Sequence, residues 1–230
     1  GRLSSPIRPP EKKQMLRHDI FYWKCDSNIS FENKRTLFFE DKYDKPGARE
    51  AFREIAGSFL GHAPESLREL RAAGNHLTYE ISDSGKTWLL RADDGIADDD
   101  YLFAESAVMN LLNKRGMPVP RVYETDISKK KYPFRWQIME FVRYPNLNKF
   151  HKDGTLDAYA IAEQSGKFLA ELHSIRFDGF GFLNTDSLQE NCRFEGIDNS
   201  CADYFSKRLE SHMGYLEKYS PFSADQVKRI

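Results

Sequence analysis

The stretch KTWLLRADDGIADDDYLFAESAVMNLL, residues 86–112, decides the fold. It begins as a strand in which Leu89 and Arg91 share one face and Trp88 and Leu90 the other. It passes through an acidic loop into a helix where Glu105, followed by Val108 and Leu112 at helical spacing, lies on the rim of the apolar stripe. A carboxylate turned toward a packing surface needs a cation, and Arg91 is the nearby candidate. Asp98, Asp99 and Asp100 are placed to cap the first amides of this helix, and Gly116 followed by Pro118 stops it.

Working outward, HLTYEIS joins KTWLLRA through Asp83-Ser84-Gly85, a hairpin signal, with Leu77, Tyr79 and Ile81 on one face. RVYETD and FRWQIMEFV read as two further strands, and the lysine-rich ISKKKYP between them as a solvated tip. Upstream, AREAFREIAGSFLG predicts a helix through Phe52, Ile55, Ala56, Phe59 and Leu60, ended by Gly61. Downstream, a long helix over 156–173 carries the stripe Ala158, Ile161, Ala162, Ser165, Phe168, Leu169 and Leu172. After a DGFGFL loop come helical segments around 201–216 and 224–230. The pattern is α+β: a mostly antiparallel sheet with one inserted helix, then an all-helical part. Four segments are expected: a proline-rich arm at 1–14, an aromatic-rich extension with a helix at 15–70, a sheet lobe at 71–145 and a helical lobe at 146–230.

Composition narrows the function. The 230 residues are 40% hydrophobic and 13% aromatic, enough to bury a core. A formal net charge of −1 supplies no basic field, so nucleic acid is not an expected partner. No apolar run nears the roughly 20 residues that cross a bilayer, and GRLSSPIRPP lacks the apolar centre of a signal peptide, so no membrane partner and a cytoplasmic location are expected. Cys25, Cys192 and Cys201 lack CxxC spacing, which argues against a disulfide framework or a zinc site; buried or idle thiols are expected.

By spacing alone, Arg91 and Glu105 are either a structural salt bridge or a clamp in which the carboxylate aims the cation at nucleotide phosphates. The ordered set GNHLTYEIS, WLLRADDG, AESAVMNLL, MPVPRVYE, WQIMEFV, FLAELHSI and GFGFLN resembles the first half of the aminoglycoside phosphotransferase family, small-molecule kinases that share the protein-kinase fold. It is most similar in style to the hygromycin-B kinases, and it covers residues 70–216. The resemblance implies a protein-kinase-like fold, with an antiparallel-sheet N-terminal lobe and the start of a helical C-terminal lobe. It implies ATP and Mg2+ as cofactors, and transfer of the γ-phosphate to a hydroxyl of an aminoglycoside-like antibiotic or metabolite. Carried over by position, Gly74 and Asn75 resemble the turn that covers the nucleotide. Arg91 matches the phosphate-contacting cation and Glu105 its helix partner, while Met139, Glu140, Phe141 and Val142 match the adenine-holding hinge.

The sequence departs from the family where the catalytic loop should read His-Gly-Asp with an asparagine five residues on. Its His-x-Asp, His151-Lys152-Asp153, precedes the long helix and has Ala158 where the asparagine belongs, so Asp153 reads as part of the loop leading into that helix, and His173 as a packing or capping histidine. No catalytic residue and no metal ligand is therefore assigned in this chain. The expectation is a kinase whose catalytic segment is absent from these residues, inactive as it stands. The competing readings are a non-catalytic kinase-like module that binds nucleotide or protein, and an interaction protein without a nucleotide site. The acidic run 93–100 is expected to be a helix cap and solvated loop.

Overall fold

The structure, a computed structural model, describes residues 48–70, 76–93, 101–207, 209–219, 223–227 and 229. The arm at 1–14, Cys25, the turn residues Gly74 and Asn75, and Asp98 to Asp100 lie outside the described residues. The chain divides into two compact units, Gly1–Phe168 and Leu169–Ile230. No helix among the described residues is long and apolar enough to cross a membrane.

The first unit is built on five antiparallel strands: β1 (Ser66–Glu69), β2 (Leu77–Asp83), β3 (Lys86–Ala92), β4 (Val122–Asp126) and β5 (Trp136–Glu140). Their order in the sheet is β1-β2-β3-β5-β4. The β2–β3 hairpin turns at Ser84 and Gly85, both at positive φ (49° and 73°), the twist that two-residue hairpins favour. Helix α1 (Ala48–Leu60) lays Phe52, Ile55 and Ala56 on one sheet face, in one core with Tyr79, Leu90 and Ile138. Phe52 is fully buried, its ring 4.5 Å from that of Tyr79 and 5.2 Å from that of Phe134. Residues 48–69, read from sequence as part of an extension before the sheet, thus share the sheet's core and supply its outer strand β1. The sequence reading missed β1 because four residues, SLRE, are too short to show alternation.

Outside the core, α1 is tied to the loop before β5, where the Tyr132 phenol donates to Glu54 at 3.0 Å and Lys131 Nζ lies 3.2 Å from the same carboxylate. Tyr132 and then Lys131 hold the Glu54 carboxyl below the ordinary glutamate range, and the same triad raises Lys131. With the folded pKa of Glu54 depressed, its contribution is present above the unfolded glutamate pKa and lost as pH falls through the folded one. For Lys131 the contribution is present below the unfolded lysine pKa and lost as pH rises through the raised one. A carbon-detected NMR titration should place Glu54 below an ordinary glutamate, and Tyr132→Phe should move it back up.

Helix α2 (Tyr101–Lys114) follows β3. Its end is built by Gly116 at φ +78°, whose N–H donates to Asn113 O at 2.9 Å while Met117 N–H donates to Leu112 O at 3.1 Å. Leu112 and Met117 are both buried, which closes the turn with an apolar contact of the kind that accompanies left-handed helix ends. The short α3 (Leu147–Lys152) was not anticipated; it ends at Asp153, its C-cap. Asp153 therefore closes α3, and the next helix, α4 (Ala158–Ser174), is capped by Asp157, whose Oδ1 accepts from Ala160 N–H at 3.0 Å. The expected stripe of α4 forms at helical spacing, yet none of its residues is buried; His173 is exposed.

The part from Leu169 onward is not all helical. Strands β6 (Phe180–Leu183) and β7 (Gly196–Asp198) pair antiparallel around α5 (Thr185–Asn191), and are followed by α6 (Cys201–Ser206), α7 (Leu209–Tyr219) and α8 (Ala224–Val227). Asn184 caps α5 by accepting from Ser187 N–H, and Ser200 caps α6 by accepting from Asp203 N–H, both at 3.1 Å. The glycines that looked like a loop belong to the hairpin: Gly181 has φ +82°, and a Cβ there would lie 2.7 Å from Asp198 Oδ2 and from Tyr204 Cδ2. Gly181→Ala is expected to cost about 2 kcal/mol or more, through both backbone strain and overlap, measurable by urea unfolding. Cys192 and Cys201 are exposed free thiols, so of the two alternatives, buried or idle, neither is the buried kind.

Candidate functional site

The pleat of β3 sends Leu90 and Ala92 into the α1 core and Arg91 to the opposite face. That face is covered by α2, which lies against β4 and β5 and has Leu102 and Ser106 buried. Arg91 Nη2 donates to Glu105 Oε2 across this contact, so the pair predicted from spacing forms. The side chains keep 16% and 28% of their exposure, intermediate between a surface ion pair and a sealed one. One residue along the helix, Ser106 donates to Leu102 O at 2.7 Å and its Oγ lies 2.8 Å from Thr125 Oγ1 on β4. Two successive α2 residues thus fasten the helix to two different strands.

Arg91 belongs to a polar row that crosses the sheet. It is paired in register with Thr78 on β2 and Gln137 on β5, and Gln137 in turn with Thr125 on β4. Cross-strand partners share a face, so all four lie on the α2 side. Gln137 is fully buried, which no sequence signal short of the register itself could reveal. One step along the same face, Asp93 and Arg135 are also buried: Asp93 Oδ1 accepts from Arg135 N–H at 3.2 Å and Oδ2 from the guanidinium at 3.3 Å. Asp93 heads the acidic run expected to be solvated, and it is not; its carboxylate is desolvated against an arginine that sequence reasoning had assigned no role. The remainder of that run, 94–100, lies outside the described residues.

The four hinge candidates divide. Met139 is buried and held in the ladder on both sides, opposite Leu89 and Val122. Glu140 donates its N–H to Arg121 O at 2.7 Å, and its carboxylate accepts from Arg121 N–H at 3.1 Å. Phe141 and Val142 follow the strand, half-buried and exposed respectively. Met139 and Glu140 stand on a central strand, since β5 lies between β3 and β4. Gly74 and Asn75 fall outside the described residues, so their place relative to Arg91 is not described.

Chemically, the Arg91 face suits an anion. Glu105 occupies one terminal nitrogen, the buried Nε has no partner, and a guanidinium offers five N–H donors in a fork that matches phosphate oxygens. The donor set therefore fits a nucleotide's phosphates. Among the described residues no group of three or more His, Cys, Asp and Glu is placed to hold a metal. His151 and Asp153 lie exposed at the end of α3. A groove of about 720 Å3 along α1, lined by residues such as Glu50, Arg53 and Lys131, belongs to the helix on the other face of the sheet and is not part of this site.

Residues 66–223 match the family model described as the phosphotransferase enzyme family. No curated protein is significantly similar to the chain in sequence. Among solved structures, a protein from Ralstonia eutropha JMP134, provisionally named an aminoglycoside phosphotransferase, is similar at 23% identity with a TM-score of 0.34. That similarity spans 42% of this chain and 28% of the Ralstonia protein. The family match takes in β1 through α7 and the Arg91–Glu105 pair, and extends over more than half of the sequence: the chain belongs to the phosphotransferase enzyme family.

Proposed function

We propose that this chain carries the nucleotide-binding machinery of an ATP-dependent phosphotransferase that moves the γ-phosphate to a hydroxyl of a small molecule, an aminoglycoside-like antibiotic or a metabolite. The observation that carries the reading is the Arg91–Glu105 pair, formed between a strand and the helix packed on it and leaving guanidinium donors unspent. Bound ATP supplies the transferable phosphoryl group. Glu105 fixes the guanidinium of Arg91, which binds phosphate oxygens with the N–H groups of Nη1. The segment from Met139 to Val142 holds adenine, and Gly74 and Asn75 cover the phosphates. In this reading residues 71–145, together with α1 and β1 that pack on and pair with them, are the nucleotide lobe of a protein-kinase-like fold, and 146–230 begins the helical one.

The family membership and the anion-suited face support this assignment. A second reading is a nucleotide- or protein-binding module without transfer activity. The test is thermal unfolding with MgATP, with magnesium alone and with no addition. A ligand that binds the folded state at about 100 times its Kd adds roughly 2.7 kcal/mol, an upward shift of several degrees. MgATP is expected to raise the midpoint where magnesium alone does not. No shift at millimolar nucleotide would favour an interaction protein instead, and a shift without phosphate transfer to any hydroxyl acceptor would favour the second reading.

A further inference from the structure

The polar row beneath α2 contains buried polar atoms, on Gln137 and on Arg91 itself, that the Arg91–Glu105 contact does not use. Gln137 is fully buried, and both its amide oxygen and its amide nitrogen are without a hydrogen-bond partner. Its register neighbour on β3 is Arg91, whose Nε is likewise buried without a partner. Orphaned polar groups are costly to bury, and here a donor and an acceptor stand side by side on adjacent strands, on one face, under one helix. Gln137 stands on a strand, WQIME, that is buried at every position but the last.

We infer that Gln137 is a positioning residue for Arg91, joined to it by one bridging water. The water accepts the Nε–H of Arg91 and donates to Gln137 Oε1, two of the polar partners a buried water needs, with the Gln137 amide N–H groups available as a third. Glu105 already grips Nη2. A planar guanidinium held at both Nε and Nη2 cannot turn about its axis, which leaves Nη1 facing the ligand side with its direction fixed. With Glu105 alone, the plane could swing about a single contact, and a phosphate would have to bear the cost of ordering it. The inference rests on the nucleotide reading for its functional half, while the Arg91–Gln137 link can be tested without any nucleotide.

The experiment uses this chain and its Gln137→Met variant, an apolar near-isostere. Nitrogen-15 NMR follows hydrogen exchange of the Arg91 Nε–H, assigned by its loss in Arg91→Lys, and equilibrium binding is measured with ATP and with adenosine. Gln137→Met is expected to speed Nε–H exchange by about tenfold or more and to weaken ATP by about tenfold, with adenosine within about twofold. In an Arg91→Ala background the same change should leave ATP affinity unaltered, because a positioning residue has nothing left to position. Unchanged Nε–H exchange would overturn the inference, as would equal losses for ATP and adenosine. Gln137→Leu repeats the measurements if the methionine variant does not fold. Should ATP fail to bind the unaltered chain, the nucleotide reading falls, and the exchange result still decides whether Gln137 holds Arg91.

Discussion

Phe52→Ala is expected to destabilise the protein by about 3–5 kcal/mol, a large share of the stability of an ordinary domain. Phe52 is fully buried, and its ring stacks between Tyr79 of β2 and Phe134, just ahead of β5. Truncation removes the transfer energy of the ring, two aromatic contacts and the packing that fastens α1 to the sheet. Urea unfolding followed by tyrosine and tryptophan fluorescence measures the loss, and the outcome decides an architectural point. If α1 is integral to the sheet unit, one cooperative transition shifts as a whole. A cost below about 1 kcal/mol, or a separate early transition, would mean that residues 48–60 are the appended extension suggested by the sequence.

The second large effect is at Arg91. Arg91→Ala is expected to weaken ATP by about 30- to 100-fold, the loss of charge-assisted bonds worth roughly 2–3 kcal/mol, while adenosine binding changes little. Part of the loss has a second origin. Removing the cation leaves Glu105 facing a triphosphate, so repulsion adds to the missing attraction. The Arg91→Ala, Glu105→Gln double variant should accordingly recover a portion of the affinity that Arg91→Ala loses. Glu105→Gln alone should cost less, about five- to tenfold, because the cation remains and only its aim is loosened. Isothermal titration of the four proteins supplies the cycle. A plain structural salt bridge predicts a small stability change with nucleotide binding unaltered in all of them.

Wherever a periodic pattern ran long enough, the residues themselves disclosed the architecture. The β2–β3 hairpin, the α2 helix with its Gly116 stop, the β4–β5 pair and α1 all stood in the order of apolar and polar residues, because each element's period is imposed by its own backbone geometry. The Arg91–Glu105 pair was legible for the same reason: the strand pleat fixes the face of one residue and the helical turn the face of the other. Short elements escaped. SLRE, the six-residue α3 and the β6–β7 pair contain too few residues for a period to register, and the glycines of DGFGFL read as loop until Gly181 was seen against Asp198 and Tyr204.

The sequence by itself therefore determined the sheet with its inserted helix, the family resemblance and the central ion pair, all of which rest on local spacing. Only the tertiary structure decided which polar residues are buried. Gln137 and Asp93 carry no local mark that separates them from solvated neighbours; their burial follows from the β3–β5 register and from α2 closing over that face. It likewise decided that α1 and β1 belong to the sheet, since only the packed core shows Phe52 and Tyr79 ring to ring. Register and packing join residues tens of positions apart, and no window of local sequence contains both partners.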